Sequence, residues 1–271
     1  MEFDPQAIRA FERASWERAA PRYGATFAAA TAPFIETLLD AARIGAGTRV
    51  LDVACGPGHG AAAAAARGAL PAGIDFSPAM LAVARAAHPK INFAHGDAEA
   101  LPQPDDSFDA VIANFGIHHF PRPAAALAQA RRVLKRGGRV AFTTWARPEH
   151  NIAWRLVLDA VRRHGDIAAA KAPPPGGSIS TPEDCFRVFV QAGFDQGRIE
   201  LVRREWPVRS ARDLIEALSQ GTARMAALIA AQAPAALPAI EAELAAQAET
   251  YRARDGLRLP TAAILVSGIK T

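Results

Sequence analysis

Cysteine is nearly missing from this chain: Cys55 and Cys185 are its only two, far apart and in no CxxC or Cys/His ligand spacing. Neither a disulfide framework nor a zinc site is indicated, no metal is expected, and a reducing, cytoplasmic setting fits. Long apolar runs are missing as well. None approaches the roughly 18 residues that suggest a spanning helix, so no membrane span is expected. The first residues include Glu2 and Asp4 ahead of an amphipathic segment, without the basic start and apolar block of a signal peptide. Charge of one sign is scarce too: 31 Lys plus Arg stand against 27 Asp plus Glu, a net charge of +4. The pI of about 9.5 follows from Arg-rich composition, and without aromatic-basic interleaving no nucleic-acid partner is expected. Half of the residues are hydrophobic and 21% are charged, which excludes global disorder. A chain of 271 residues suits one enlarged α/β domain.

What the chain does have is alternation. Residues 5–44 read as helical, with Phe11, Ser15, Trp16, Ala19 and Ala20 on one face and a second run through Phe27, Phe34, Ile35, Leu38 and Leu39. Short apolar runs then alternate with helical ones: RVLDVA, AGIDF, INFAHG, FDAVIAN and GRVAFTTW. That order implies right-handed crossovers and a parallel sheet, and runs such as DAVIA and VAFTT suit a sheet covered on both faces. After Trp145 come a helix near 151–164 and a connector holding Pro173, Pro174, Pro175, Gly176 and Gly177, read as a mobile loop and candidate lid. Thr181 as N-cap, Pro182 at the first helical position and Gly193 as the stop mark the next helix. A strand is expected at 198–206, Ala-rich helices between 211 and 255, and a last apolar strand at 262–269. Arg203 and Arg204 read as a solvated face.

The segment VLDVACGPGHG runs a buried strand into a glycine-rich turn before a helix, so backbone can approach a ligand at the carboxyl edge of a sheet. Its glycines Gly56, Gly58 and Gly60 follow GxGxG rather than the dinucleotide GxGxxG. Asp52 at the strand end is poorly placed beside a pyrophosphate and well placed to attract the ammonium of a cationic methionine moiety, directly or through water. Charge therefore favours S-adenosylmethionine over NAD, and an NAD-dependent oxidoreductase ranks last. Asp75 ends the second strand, 23 residues on, where an acid can take both ribose hydroxyls. Phe76 and Met80 offer apolar walls for an adenine. In GDAEALP, Asp97 can accept from the exocyclic amine while the Ala98 amide bonds a ring nitrogen.

LDVACGPG, GIDFSPAMLAVAR, GDAEALPQPDDSFDAVIANFGIHHF and RVLKRGGRVAFTTW, in that order, make the chain resemble the class I S-adenosylmethionine-dependent methyltransferases. The nearest group is the type 11, ubiquinone and menaquinone methyltransferase-like one, and the likeness covers about 49–145. It implies a Rossmann-like, seven-stranded, mostly parallel α/β sheet with helices on both faces and an antiparallel last strand. It also assigns Asp52, Ala54, Gly56 and Gly58 to the methionine and ribose region, Asp75 and Phe76 to ribose and adenine, and Asp97 and Ala98 to adenine. Asn114 falls where the family contacts the methionine portion through backbone. Trp16 and Tyr23 lie on amino-terminal helices that in the family often close over sulfonium and substrate. His118 and His119 follow the fourth strand, close to the transferred methyl, where either can serve as base or as loop scaffolding.

The expected division is a helical cap at 1–45, a cofactor-binding core at 46–206 and 259–271, and a helical insertion at 207–258 over the substrate. The expected activity is methyl transfer to a small-molecule acceptor at O, N or C. The alternative is a cofactor-binding regulatory or non-methylating module of the same fold. The quinone enzymes' substrate region is not evident, and neither the acceptor nor the oligomeric state is legible.

Overall fold

Each short apolar run between helical segments becomes a strand of one sheet. The computed structural model describes residues 3–170, 172–173, 179–194 and 197–271. Helix α1 (Pro5–Thr26) starts on Asp4, whose carboxylate accepts from the amides of Gln6 and Ala7, an N-cap followed by proline at the first helical position. Its buried stripe is Ile8, Glu12, Ser15, Ala19 and Ala20, one face at three- and four-residue spacing. The stripe is rotated from the one expected through Phe11 and Trp16, and it takes in a carboxylate. Helices α2 (Ala28–Thr31) and α3 (Ile35–Ala41) complete the amino-terminal segment.

The central alternation gives β1 (Arg49–Val53), α4 (His59–Ala66), β2 (Leu70–Asp75), α5 (Pro78–Ala87), β3 (Asn92–His95), β4 (Phe108–Asn114), α6 (Pro123–Val133) and β5 (Leu134–Trp145). Next come α7 (Ile152–His164), α8 (Pro182–Gln191), β6 (Gly197–Val208), α9 (Ala211–Gly221), α10 (Arg224–Ala230), α11 (Leu237–Ala248), the short β7 (Arg252–Ala253) and β8 (Gly256–Ile269). Strand order is β3-β2-β1-β4-β5-β8-β6, with β1 to β5 mutually parallel and β8 antiparallel to both β5 and β6. The expected seven strands, mostly parallel with the last antiparallel, are met along the main path; β7 adds a two-residue pairing to the start of β8.

Both faces of the sheet are covered. On one, Leu127 and Ala130 of α6 and Val188 and Phe189 of α8 pack on Val111, Phe142, Ile264 and Val266. On the other, Leu38 and Leu39 of α3 and Ala64 of α4 pack on Val50, Ile112, Ala141 and Leu265. Burial on both sides explains why these strands read as continuous apolar runs. The cap of α8 is as expected, with Thr181 accepting from the Asp184 amide at 3.1 Å and Gly193 at φ +85° just beyond the end.

Three details differ from the sequence expectation. Strands β6 and β8 both run longer, because positions such as Pro207 and Arg258 still pair across the antiparallel strands. The overhang buries Trp206, Val208, Leu257 and Leu259 against α7, α9 and α11, together with Phe27, so the amino-terminal segment and the insertion share one apolar cluster. Arg204 is not a free solvated side chain: it donates to the Pro33 carbonyl at 3.0 Å and to Thr37 Oγ1 at 2.6 Å, with its guanidinium over Phe34. Of the expected lid, Pro173 accepts from Arg224 at 2.8 Å, while residues 174–178 lie outside the described residues. No helix among the described residues is long and apolar enough to cross a membrane.

Candidate active site

Strand order reverses between β2 and β4 on either side of β1, and a crevice opens beyond the carboxyl ends of strands at such a switch point. The backbone there is unusual. Ala54, just after β1, has φ +55°, and Phe115, just after β4, has φ +57°. Left-handed non-glycine residues cost of order 1–3 kcal/mol each and cluster at functional sites. Both are held by hydrogen bonds around them: Cys55 N donates to the Ile74 carbonyl at 3.1 Å, and Phe115 N to Thr143 Oγ1 at 2.9 Å.

The cleft encloses about 1120 Å³ including its mouth. Three carboxylates stand at successive strand ends. Asp52 is buried and its Oδ2 accepts from the Ala61 amide at 2.8 Å. Burial pushes its carboxyl up to about 7, the Ala61 amide opposes that, and the nearby Asp75 adds to it. Gly60 is required to be small here, because a Cβ would stand 2.7 Å from Asp52 Oδ2. Asp75 takes the Gly56 amide on Oδ2 and the Ser77 amide on Oδ1, each at 2.8 Å. Burial raises its carboxyl even against these amides. Each oxygen keeps a lone pair for a hydroxyl. Asp97 accepts from the Glu99 amide at 2.8 Å and from Arg9 Nε of α1 at 3.0 Å.

Most of the sequence-derived residues line this single cleft. Asp52, Ala54, Gly56 and Asp75 form its floor, Phe76, Met80, Asp97 and Ala98 one end, and Trp16, Tyr23, Asn114 and His119 the other. Asn114 is tied on both sides, accepting from Thr143 Oγ1 at 2.8 Å and donating to the Thr31 carbonyl at 3.3 Å. The Tyr23 hydroxyl meets Thr31 Oγ1 at 3.1 Å, and burial pushes its phenol up to about 12.

Gly58 and His118 do not line the cleft. Gly58, at φ +85°, starts α4 across the ring of Phe93, where a Cβ would come within 2.7 Å; its place in the motif is accounted for by the turn. His118 is turned toward Thr144 Oγ1, 3.3 Å from its Nδ1, and burial foremost, then His119 and Arg224, holds it well below the usual histidine value. The paired histidines therefore separate into one inward ring and one in the wall.

Sequence reasoning missed several wall residues: Arg9, Phe27, Phe115 and Trp145. Phe27 had read as core, and it is both, packing edge-on to Trp145 and Trp206. Trp145 stacks on Phe115 with ring centroids 3.8 Å apart. The largest omission is Glu12 of α1. Its side chain is fully buried, with Oε2 2.8 Å from His119 Nδ1 and Oε1 3.3 Å from Arg224 Nη2. Distance and direction disagree at the histidine: the atoms are close, yet neither Nδ1 nor the carboxylate has a well-directed hydrogen bond. The contact is electrostatic as it stands. Burial drives the Glu12 carboxyl up, but His119, Arg224 and Trp16 together hold it below its ordinary value. No periodic signal could have exposed Glu12, because helical patterns are read from apolar residues.

Residues 51–142 match the family model described as a methyltransferase domain. The demethylmenaquinone methyltransferase of Clavibacter sepedonicus is 44% identical over 106 residues, which are 38% of this chain and 43% of that protein. An uncharacterized protein of Mycobacterium bovis is 36% identical over 175 residues, 63% of this chain and 62% of that one. The chain thus spans less than half the length of the first relative and under two thirds of the second. Among solved structures, a SAM-dependent methyltransferase of Thermotoga maritima superposes with TM-score 0.58 at 15% identity, covering 96% of this chain and all of that one. That likeness carries the fold, a Rossmann-like sheet.

Proposed function

We propose that this chain, which carries in residues 51–142 the methyltransferase domain of the class I S-adenosylmethionine-dependent family, transfers a methyl group from S-adenosylmethionine to a small-molecule acceptor. One observation carries the reading: three carboxylates, Asp52, Asp75 and Asp97, stand at consecutive strand ends around one cleft whose first turn is glycine-rich. The set suits the cofactor group by group. Asp52 answers a cationic amine, Asp75 has lone pairs for two ribose hydroxyls, and Asp97 with the Ala98 amide answers an adenine edge between Phe76 and Met80. Gly56 keeps that turn free of side chain, and Asn114 presents backbone near the methionine end.

When bound, the cofactor supplies a methyl group on a positively charged sulfur. The protein's part is alignment, since an in-line displacement gains most from holding the reacting atoms in register. The aromatic rings of Trp16 and Tyr23 favour a cation at the far end of the cleft, and α1 excludes water by lying across it. The division that fits this is a core at 46–206 and 259–271, a cap at 1–45 that lines the cleft, and the insertion 207–258 packed behind it, its Arg224 reaching Glu12.

Isothermal titration tests the reading: S-adenosylmethionine and its demethylated product should bind in competition, and NAD should not displace them. Absence of heat with both compounds would sink it. Cofactor binding without label transfer to any of a broad panel of phenols, enols and amines would leave the regulatory alternative in its place.

A further inference from the structure

We infer that Glu12 and His119 form a proton-accepting pair at the acceptor end of the cleft, serving a planar, aromatic or conjugated compound whose hydroxyl is the methylated group. The inference rests on the methyl-transfer reading above. Glu12 is 0% exposed, and a buried carboxylate is costly unless its partners offset the lost hydration. The groups that face it are His119, Arg224 from α10 and the Trp16 indole. A purely structural latch between α1 and α10 would need only the arginine. Instead the closest approach, 2.8 Å, is to an imidazole that lines the cleft.

The two nitrogens of that ring differ. Nδ1 is sealed against Glu12. Nε2 makes no hydrogen bond among the described residues, and the ring lines the cleft. A carboxylate beside Nδ1 favours the tautomer with the proton there, leaves the Nε2 lone pair for a substrate, and stabilises the ring once it is charged. Other titratable or charged groups around the ring are Arg224 and the neighbouring His118, which burial keeps neutral.

The surroundings of Nε2 point to the acceptor class. Trp16 meets the His119 ring edge-on at 4.8 Å, and Phe27, Phe115 and Trp145 continue the wall beyond Asn114. Stacked and edge-on rings of this kind accept a flat apolar molecule. In the transfer the acceptor O–H gives its proton to Nε2, and the oxygen forms its bond to the methyl carbon. The electron pair of the broken carbon–sulfur bond stays on sulfur. Glu12 is the positioning residue and His119 the catalytic one.

The probe is p-nitrophenol, added to the full chain loaded with demethylated cofactor, with phenolate absorbance followed against pH. On the wild type the phenolate band should appear about one pH unit lower than for the free compound. His119→Asn should abolish the shift, Glu12→Gln should remove most of it, and Glu12→Asp should restore part. A merely structural role for Glu12 would leave the band where it is in every variant that still binds demethylated cofactor with wild-type affinity, which is the control for folding. An unshifted band on the wild type, or the full shift retained in Glu12→Gln or His119→Asn, overturns the pair. Failure of p-nitrophenol to bind a loaded protein overturns the acceptor class. If the demethylated cofactor itself does not bind, the methyl-transfer reading fails and this inference with it.

Discussion

Along the ends of β1, β2 and β3 the cleft is held by backbone amides, whereas across it, on α1 and α10, it is held by side chains. Asp52 and Asp75 are fixed by the amides of Ala61, Gly56 and Ser77, and the glycine at 60 leaves room for one of them. Arg9 reaches the partly exposed Asp97 and the buried Glu99 carboxylate, Arg122 reaches Glu99, and Glu12 holds His119 and Arg224. An amide contact is set by the path of the chain and has few alternatives. A side-chain contact can be exchanged without moving a strand. The end proposed for the methyl donor is therefore the rigid half, and the end proposed for the acceptor the half in which specificity can change.

The largest expected effect lies on the rigid half. Asp75→Ala leaves two amides without acceptors and removes the proposed partner of the ribose hydroxyls. At about 1.5–3 kcal/mol for a charged hydrogen-bonded group, affinity for S-adenosylmethionine should drop roughly 100-fold by titration calorimetry. A drop of only twofold would erase the distinction between the halves.

The second effect is one of pH. In the free protein the Asp52 carboxyl is pushed up to about 7, from an ordinary value of 3.8, chiefly by burial. Binding a cation there needs the ionised form, so below pH 7 it must release a proton. Affinity for S-adenosylmethionine should then fall about tenfold per pH unit on acidification. Stability should move the other way. Because the folded value lies above the unfolded one, the stabilising protonated form is present at low pH and its contribution is lost as pH rises through about 7. Asp52→Asn should flatten the pH dependence of binding, read in the same calorimeter. A wild-type affinity independent of pH between 5 and 7 would contradict the assigned contact.

The smallest effect belongs to the cap. Arg9 and Asp97 are partly exposed, such pairs contribute about 1 kcal/mol or less, and the buried Glu99 carboxylate that Arg9 also meets keeps Arg122 as a partner. Arg9→Ala should therefore weaken cofactor binding by about fivefold at most, and the loss should shrink at high salt, where the wild-type pair is already screened. A loss equal to that of Asp75→Ala would make the cap as rigid as the sheet.

The strand ends were legible because the requirements there are local. A strand that stops in an acid, a turn that needs glycine, and a helix that starts on serine or proline are all written within ten or so residues, and Asp52, Asp75 and Asp97 followed from them. Gly58 was grouped with the ligand because spacing does not tell a glycine that faces a cofactor from one that passes the ring of Phe93. His118 and His119 were inseparable for a similar reason. In the short helical turn at Ile117–His119 the two rings lie only 4.0 Å apart, and composition says nothing of which one lines the cleft.

By itself the sequence determined the alternation of strands and helices, the covered parallel sheet and the chemistry of the donor end, because each depends on periodicity or on groups close along the chain. Only the tertiary structure decided what stands opposite. Glu12, His119 and Arg224 come from three distant segments, Trp145 from a fourth, and Arg9 closes on Asp97 from the far end of the chain. Those contacts exist because the overhanging ends of β6 and β8 and the helices packed on them bury their apolar faces against α7 and Phe27. No local pattern encodes that docking.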